Sequence, residues 1–337
     1  MEALSTVSIL VNGPDEAGAA RRAAADVARS LGFGEGDIGR VAIVVTECAN
    51  NLWKHASGGE MLLSSHELEG QPCVEVIALD RGPGMYDVAR CFQDGYSTAG
   101  SAGSGLGAVG RLSMCEVFTR PGKGTAILAR LLRQGHHSRG NGPFLAGGVA
   151  VPIPGETACG DGYAFRQVGP LMLVMLADGL GHGATAAECA GRAIEAFQHS
   201  KEEAPASLIR EIHTALRGTR GAAVSVAALD PAARQLRFSG VGNVLGMMSG
   251  PGRSRNFVAM PGIVGHNMAA VREFTYDWPA GSLVLIYSDG VGSHWSLDDY
   301  EGLTSLDPAL ISAVIYRDRK RGRDDASVLA IRERHQA

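Results

Sequence analysis

The chain has 337 residues, 45% of them apolar, 20% charged and only 6% aromatic, with a formal charge of -4. That is enough length for two domains with separate cores, and it offers neither the basic stripe nor the stacking platforms that nucleic-acid binding needs. No apolar run approaches the roughly 20 residues of a membrane span, and the start, Met1-Glu-Ala-Leu4, lacks the basic-then-apolar order of a secretory leader, so a cytoplasmic protein is expected. Six scattered cysteines without a C-x-x-C pair imply neither a disulfide framework nor a zinc site.

Residues 1–11 alternate weakly, as an edge strand does, and Asn12-Gly-Pro14 turns the chain into a helix that opens on Pro14 and runs to about Leu31. It should bury Ala24, Val27, Ala28 and Leu31 and stop at Gly32. Asp37 is expected to cap the next helix, which ends near Ser57-Gly-Gly59. Within it Val41, Val45, Cys48 and Leu52 recur at helical spacing. The other face carries Glu47, Asn51, Lys54 and His55: a carboxylate, an amide able to bind magnesium, and a cation. Residues 60–68 and 72–79 read as antiparallel strands, the second delivering Asp80 to a strand end, where a carboxylate can accept from an adenine amino group. Gly82 and Gly84 let the backbone turn where a side chain would collide with a ligand. Gly103, Gly105 and Gly107 precede a short helix expected over 108–113 and would turn backbone N–H groups toward phosphate. Strands near 114–119 and 125–132 complete a sheet covered on one face by helices, an α/β sandwich. Residues 134–143, Gln-Gly-His-His-Ser-Arg-Gly-Asn-Gly-Pro, hold no apolar residue and read as a linker between a domain at 1–133 and another at 144–337, with His136 and His137 solvated.

The order Glu47-x-x-x-Asn51, Asp80-x-Gly82-x-Gly84, Gly103-x-Gly105-Leu106-Gly107 and Gly122-Lys-Gly-Thr125 resembles the GHKL ATP-binding fold in its small serine-kinase form. The run Phe92-Gln-Asp-Gly-Tyr-Ser-Thr98 is similar to that of RsbT-type kinases, and the likeness spans about residues 5–133. The resemblance implies that ATP and magnesium bind here. Glu47 would be the base for a substrate hydroxyl, Asn51 the magnesium ligand, Asp80 the adenine reader and Lys54 a phosphate-facing cation. Gly82, Gly84, Gly103, Gly105, Leu106 and Gly107 would line the nucleotide, and Thr125 would close the pocket.

The second half begins with a strand over about 145–153, followed by Cys159-Gly-Asp-Gly162 at a turn. A buried strand over 171–177 ends in Asp178-Gly-Leu-Gly-His-Gly183, another over 283–287 ends in Ser288-Asp-Gly290, and Arg323-Asp-Asp325 leads into a strand over 326–331. Carboxylates from distant parts of the chain thus gather at strand ends, and oxygen-only ligands suit magnesium or manganese rather than zinc. Together with Gly240-Val-Gly-Asn243, this set resembles the PPM-type phosphatases of the RsbX and SpoIIE branch over about residues 144–333. The resemblance implies an αββα sandwich holding two manganese or magnesium ions. Asp161, Asp178, Asp289 and Asp324 would be side-chain ligands and Gly162 a carbonyl ligand. Asp325 stands where many relatives have Asn, which leaves open which of Asp324 and Asp325 binds metal. No phosphate-binding arginine is evident near the start of this half. His182 reads more readily as a helix-start residue than as an acid.

The reading that follows is a bifunctional enzyme. A serine/threonine kinase is joined to a metal-dependent phosphoserine/phosphothreonine phosphatase, with STAS-domain proteins of a bacterial stress-response partner-switching system as the implied substrates. The alternative is a nucleotide-gated, anti-sigma-like binding module fused to an active phosphatase; Glu47 favours the enzyme, because a binder needs no base. A histidine kinase is not expected, because no helix pair with a phosphoacceptor histidine stands ahead of this domain in the sequence. The segment from Gln93 to Ser104, rich in glycine and serine, suits a lid.

Overall fold

The computed structural model describes residues 6–68, 70–93, 105–133, 142–250 and 253–334. Gly103, most of the candidate lid (94–104) and the linker residues 134–141 with His136 and His137 lie outside them. The chain divides into two compact units, Thr6–Asn141 and Gly142–Ala337. Among the described residues no helix is long and apolar enough to cross a membrane.

In the first unit, strand β1 (Val7–Val11) leads into helix α1 (Pro14–Ser30), with Pro14 in its first turn. The inner face of α1 is alanine: Ala17, Ala20, Ala24, Ala25 and Ala28 are buried, whereas Val27 and Leu31 stay half-buried. Small side chains let α1 lie close to α2 (Glu35–Ala56). The residue capping α2 is Gly34, not Asp37. Asp37 sits one turn in, where its carboxylate accepts from Arg40 Nε at 3.1 Å, while Arg40 also donates to the carbonyl of Leu132. Strands β2 (Gly59–Leu68) and β3 (Gln71–Leu79) follow. Then come short α3 (Val88–Cys91), α4 (Gly105–Leu112), β4 (Met114–Arg120) and β5 (Gly124–Leu132). The strands form an antiparallel sheet in the order β1-β2-β3-β5-β4. Period-two alternation turns Met61, Leu63, Val74, Val76, Ala78, Ile127, Ala129 and Leu131 toward Val41, Val45, Cys48 and Leu52 of α2, making one apolar core.

The second unit contains β6 (Phe144–Val151), β7 (Asp161–Val168), β8 (Leu171–Gly179), α5 (Ala184–His199), α6 (Pro205–Ala215) and β9 (Ala222–Asp230). They are followed by β10 (Gln235–Val241), β11 (Leu245–Gly250), β12 (Arg253–Asn256), β13 (Phe274–Asp277), β14 (Leu283–Tyr287), α7 (Pro308–Arg319) and β15 (Ala326–Glu333). Two antiparallel five-stranded sheets result, β13-β10-β9-β8-β7 and β12-β11-β14-β15-β6. Val174, Leu176, Ala227 and Phe238 of one meet Val284, Ile286, Leu329 and Ile331 of the other in a shared core, where Trp278 stacks on Phe144 at 5.6 Å. The outward residues Leu173, Met175, Val224 and Val226 pack against Phe197 and Ile209 of α5 and α6, and α7 lies on β6 and β15. This is the αββα order. Two strands differ from expectation: β7 starts at Asp161, which was expected at a turn, and β8 runs on through Asp178 to Gly179 rather than stopping at Ala177, so both aspartates belong to the ladder.

Candidate active sites

In the first unit, α2 sets the site because its apolar stripe must face the sheet, which leaves Glu47 and Asn51 one turn apart on another face. Helix α4 packs on that face through its first residue. A Cβ placed on Gly105 would lie 3.4 Å from Glu47 Oε2 and 3.7 Å from Asn51 Oδ1. Gly105, Leu106 and Gly107 therefore form the first turn of α4, earlier than the sequence reading placed the helix, and Leu106 is anchored in the core. A glycine at this point keeps the backbone within reach of both side chains.

Asp80 leaves β3 at its end. Its N–H donates to Thr125 O at 2.9 Å, and its Oδ1 accepts from Gly82 N (2.7 Å) and Thr125 N (3.1 Å), so the structure joins Asp80 and Thr125 across 45 residues. Three glycines make the approach possible. A Cβ on Gly82 would meet Ala56, one on Gly84 (φ 70°) would meet Arg120 O, and one on Gly124 (φ 91°) would lie 2.1 Å from Asp80 O. Thr119 completes the knot: its hydroxyl accepts from Met85 N (2.9 Å) and pairs with the buried Thr125 hydroxyl (3.0 Å). No sequence signal marked Thr119, because its part depends on the β4–β5 register. Lys54 is exposed, its ammonium 5.1 Å from the centre of the Trp53 ring.

In the second unit, Asp161 and Asp178 are directly paired across β7 and β8, and Gly162 is buried opposite Ala177. Asp161 Oδ2 accepts from Ser288 Oγ at 2.6 Å, and Ser288 Oγ accepts from Ser327 N at 3.0 Å, which ties β7 of one sheet to the ends of β14 and β15 of the other. Asp289 accepts from Asn243 Nδ2 at 2.6 Å. Asp325 is buried, and its two oxygens each accept a backbone N–H, from Ile153 and Gly160, both at 2.6 Å. Asp324 is exposed and accepts from the N–H of Asp325 at 2.9 Å. His182 Nδ1 lies 2.8 Å from Glu156 Oε1.

The electrostatics of this cluster are those of buried carboxylates that repel one another. Burial, then repulsion from Asp161, Asp289, Asp324 and Asp325, pushes the Asp178 carboxyl up to about 8. Asp161 is likewise raised by burial, opposed in part by the Ser288 hydroxyl, and Asp325 is raised by burial against its two backbone donors. Five neighbouring carboxylates with only oxygen donors fit a hard divalent cation. Among the described residues no three acidic, imidazole or thiol groups close into a finished cage. An ion here would keep several waters, as magnesium does when one or two carboxylates hold it.

Comparison with known proteins divides the chain at the same two units. Residues 10–131 match the histidine kinase-like ATPase domain family, and residues 170–334 match the stage II sporulation protein E (SpoIIE) family. The serine/threonine-protein kinase RsbT of Bacillus subtilis (strain 168) is 36% identical over 112 residues, which are 33% of this chain and 84% of that protein. The phosphoserine phosphatase RsbX of the same organism is 26% identical over 139 residues, 41% of this chain and 69% of that one. A solved chain from work on the bacterial stressosome, described as a modular system adapted to control secondary messenger signalling, superposes with a TM-score of 0.52 at 27% identity, covering 56% of this chain and 99% of its own. RsbX crystallised with magnesium shares the fold, with a TM-score of 0.52 at 21% identity over 59% of this chain and 99% of its own. The chain therefore belongs to the RsbT-type histidine kinase-like ATPases through its first unit and carries a SpoIIE-type PPM phosphatase domain in its second.

Proposed function

We propose that the chain both writes and erases phosphate on serine or threonine of STAS-domain proteins in a stress-response partner-switching system, with the functional boundary in residues 134–143. The observation that carries the reading is the presence in one chain of a Glu47–Asn51 pair facing Gly105 and of an Asp161–Asp178 pair backed by Asp289 and Asp324.

In the front domain, Asp80 and Thr125 would hold the adenine end of ATP. The first turn of α4, with Gly105, Leu106 and Gly107, would hold the phosphate end, and Asn51 a magnesium ion. Glu47 takes the proton of an incoming seryl hydroxyl. That oxygen bonds to the γ-phosphorus while the bond to the β,γ-bridging oxygen breaks. In the back domain Asp161, Asp178, Asp289, Asp324 and the carbonyl of Gly162 would hold two manganese or magnesium ions. Bound there, such ions supply charge to the phosphoryl oxygens and acidify a water. Asp325 is assigned to support, because both its oxygens already hold backbone N–H groups, and Asp324 to binding.

The test uses two variants and ATP with magnesium. A STAS-domain protein is phosphorylated with the Asp178→Ala chain, freed of nucleotide, then given the Glu47→Ala chain with manganese. Release of the phosphate just added is expected. Phosphosites left intact by the second protein would show that the two domains serve different substrates.

A further inference from the structure

We propose that Arg220 grips the phosphate of the substrate in the second domain, an inference that rests on the phosphatase reading above. The β8–β9 ladder pairs Gly179 with Ala222 and continues as Leu180 N donating to Gly221 O at 3.1 Å. This brings Arg220 alongside Gly181, three residues beyond Asp178. Gly181 has φ 94°, and a Cβ built there would lie 3.2 Å from Arg220 Nη1, so the guanidinium rests against the backbone of the turn that leaves the acidic end of β8. The segment is braced. Thr219 Oγ1 accepts from Gly221 N (3.0 Å) and donates to Leu216 O (2.7 Å), and at Gly221 (φ 84°) a Cβ would strike Ile263 and Val264. The Arg220 side chain is exposed, and among the described residues no hydrogen bond or ion pair takes up its guanidinium.

The chemistry explains why such a cation belongs there. A phosphate monoester dianion at the mouth of the Asp178, Asp161, Asp289 and Asp324 cluster is oriented best by donors of fixed direction outside the carboxylates. A guanidinium fork against the Gly181 backbone, three residues beyond Asp178, offers two parallel N–H groups at the spacing of two phosphoryl oxygens, and unlike an ammonium it presents them in a fixed plane. Arg220 makes and breaks no bond. It holds the ester with phosphorus over the carboxylate cluster. Sequence reading finds no arginine near the start of this domain because the residue arrives 59 positions after Asp161, through strand register alone.

The experiment is a calorimetric titration of the manganese-loaded full chain with inorganic phosphate, for the wild type, Arg220→Ala and Arg220→Lys, each checked for an unchanged melting temperature. Arg220→Ala should weaken phosphate binding by about tenfold or more, and Arg220→Lys by less, since charge stays and the fork is lost. Manganese affinity should be unaltered, and KM for a phosphoserine peptide should rise in step with the phosphate dissociation constant. Phosphate binding equal to wild type in Arg220→Ala overturns the proposal, as does a parallel loss of manganese affinity, which would mark Arg220 as a support of the cluster. If the wild type cleaves no phosphoserine peptide while phosphate binding still depends on Arg220, the anion site stands and the phosphatase reading falls.

Discussion

Asp161 and Asp178 face each other across adjacent antiparallel strands, two buried or half-buried carboxylates in direct register. Like charges opposite each other destabilise a ladder, so this pair costs the fold stability whenever both are ionised without a cation between the sheets.

Stability without metal should therefore depend on pH in an unusual direction. The Asp178 carboxyl is raised to about 8 in the folded chain, against about 4 for an unfolded aspartate. A carboxyl raised on folding stabilises the folded state while protonated; that contribution is whole below the unfolded value and is lost as pH rises through the folded one. Melting of the chelated phosphatase domain should fall as pH rises from about 5 to about 8.5, and Asp178→Asn should flatten the fall. A melting temperature in chelator that climbs over this range in the wild type would contradict the assignment.

Asp324 and Asp325, adjacent in sequence, should fail in different ways. Asp325→Ala leaves two N–H groups without their acceptor, at about 1–3 kcal/mol each, whereas Asp324→Ala removes an exposed carboxylate and should change stability by less than about 1 kcal/mol. Denaturant unfolding measures the first difference. Manganese titration should show the reverse order, with Asp324→Ala the weaker binder.

Glu47 and Asp80 should also separate. Glu47→Ala is expected to bind ATP like the wild type and to lose phosphoryl transfer by about 10²- to 10⁴-fold, the usual worth of a positioned base. Asp80→Asn should weaken ATP binding, because its carboxylate organises the Gly82 and Thr125 N–H groups. Calorimetry with a non-hydrolysable ATP analogue decides between them.

Two glycines two positions apart in the chain give an internal control. Gly122→Ala places a methyl in open space at φ 72° and should cost only about 1–2 kcal/mol. Gly124→Ala drives a methyl into the Asp80 carbonyl and should cost clearly more while abolishing nucleotide binding. Equal melting temperatures for the two variants would show that the Asp80–Gly124 contact is not what shapes the pocket.

Much of this was legible beforehand, for identifiable reasons. The Val41, Val45, Cys48, Leu52 stripe forced Glu47 and Asn51 onto another face of α2, and apolar runs bounded by glycine marked β3, β8 and β14. What escaped depended on partners distant in the chain. Asp37 looked like a cap because acidic residues favour the first turn, yet Arg40 claims it. Asp178 was expected just past the end of the strand over 171–177, yet the ladder to β9 carries the strand through it. The difference in surroundings between exposed Asp324 and buried Asp325 is set by Ile153 and Gly160, more than 160 residues away from Asp325.

That last contact has a consequence for how the protein is made. Asp325 hydrogen-bonds residues 172 and 165 positions earlier, and the strand it opens, β15, enters its sheet between β14 and β6. On the ribosome the first unit can close once residue 132 has emerged, but β6 must wait for nearly the whole second half before its neighbour exists. At roughly 5–20 residues per second, that interval lasts on the order of 10–40 s. Ribosomes halted after Asp299 should carry chains that bind ATP yet release no phosphate, and limited proteolysis of such complexes would reveal it. Every newly made molecule would then pass through a brief life with its first unit folded and its second still open.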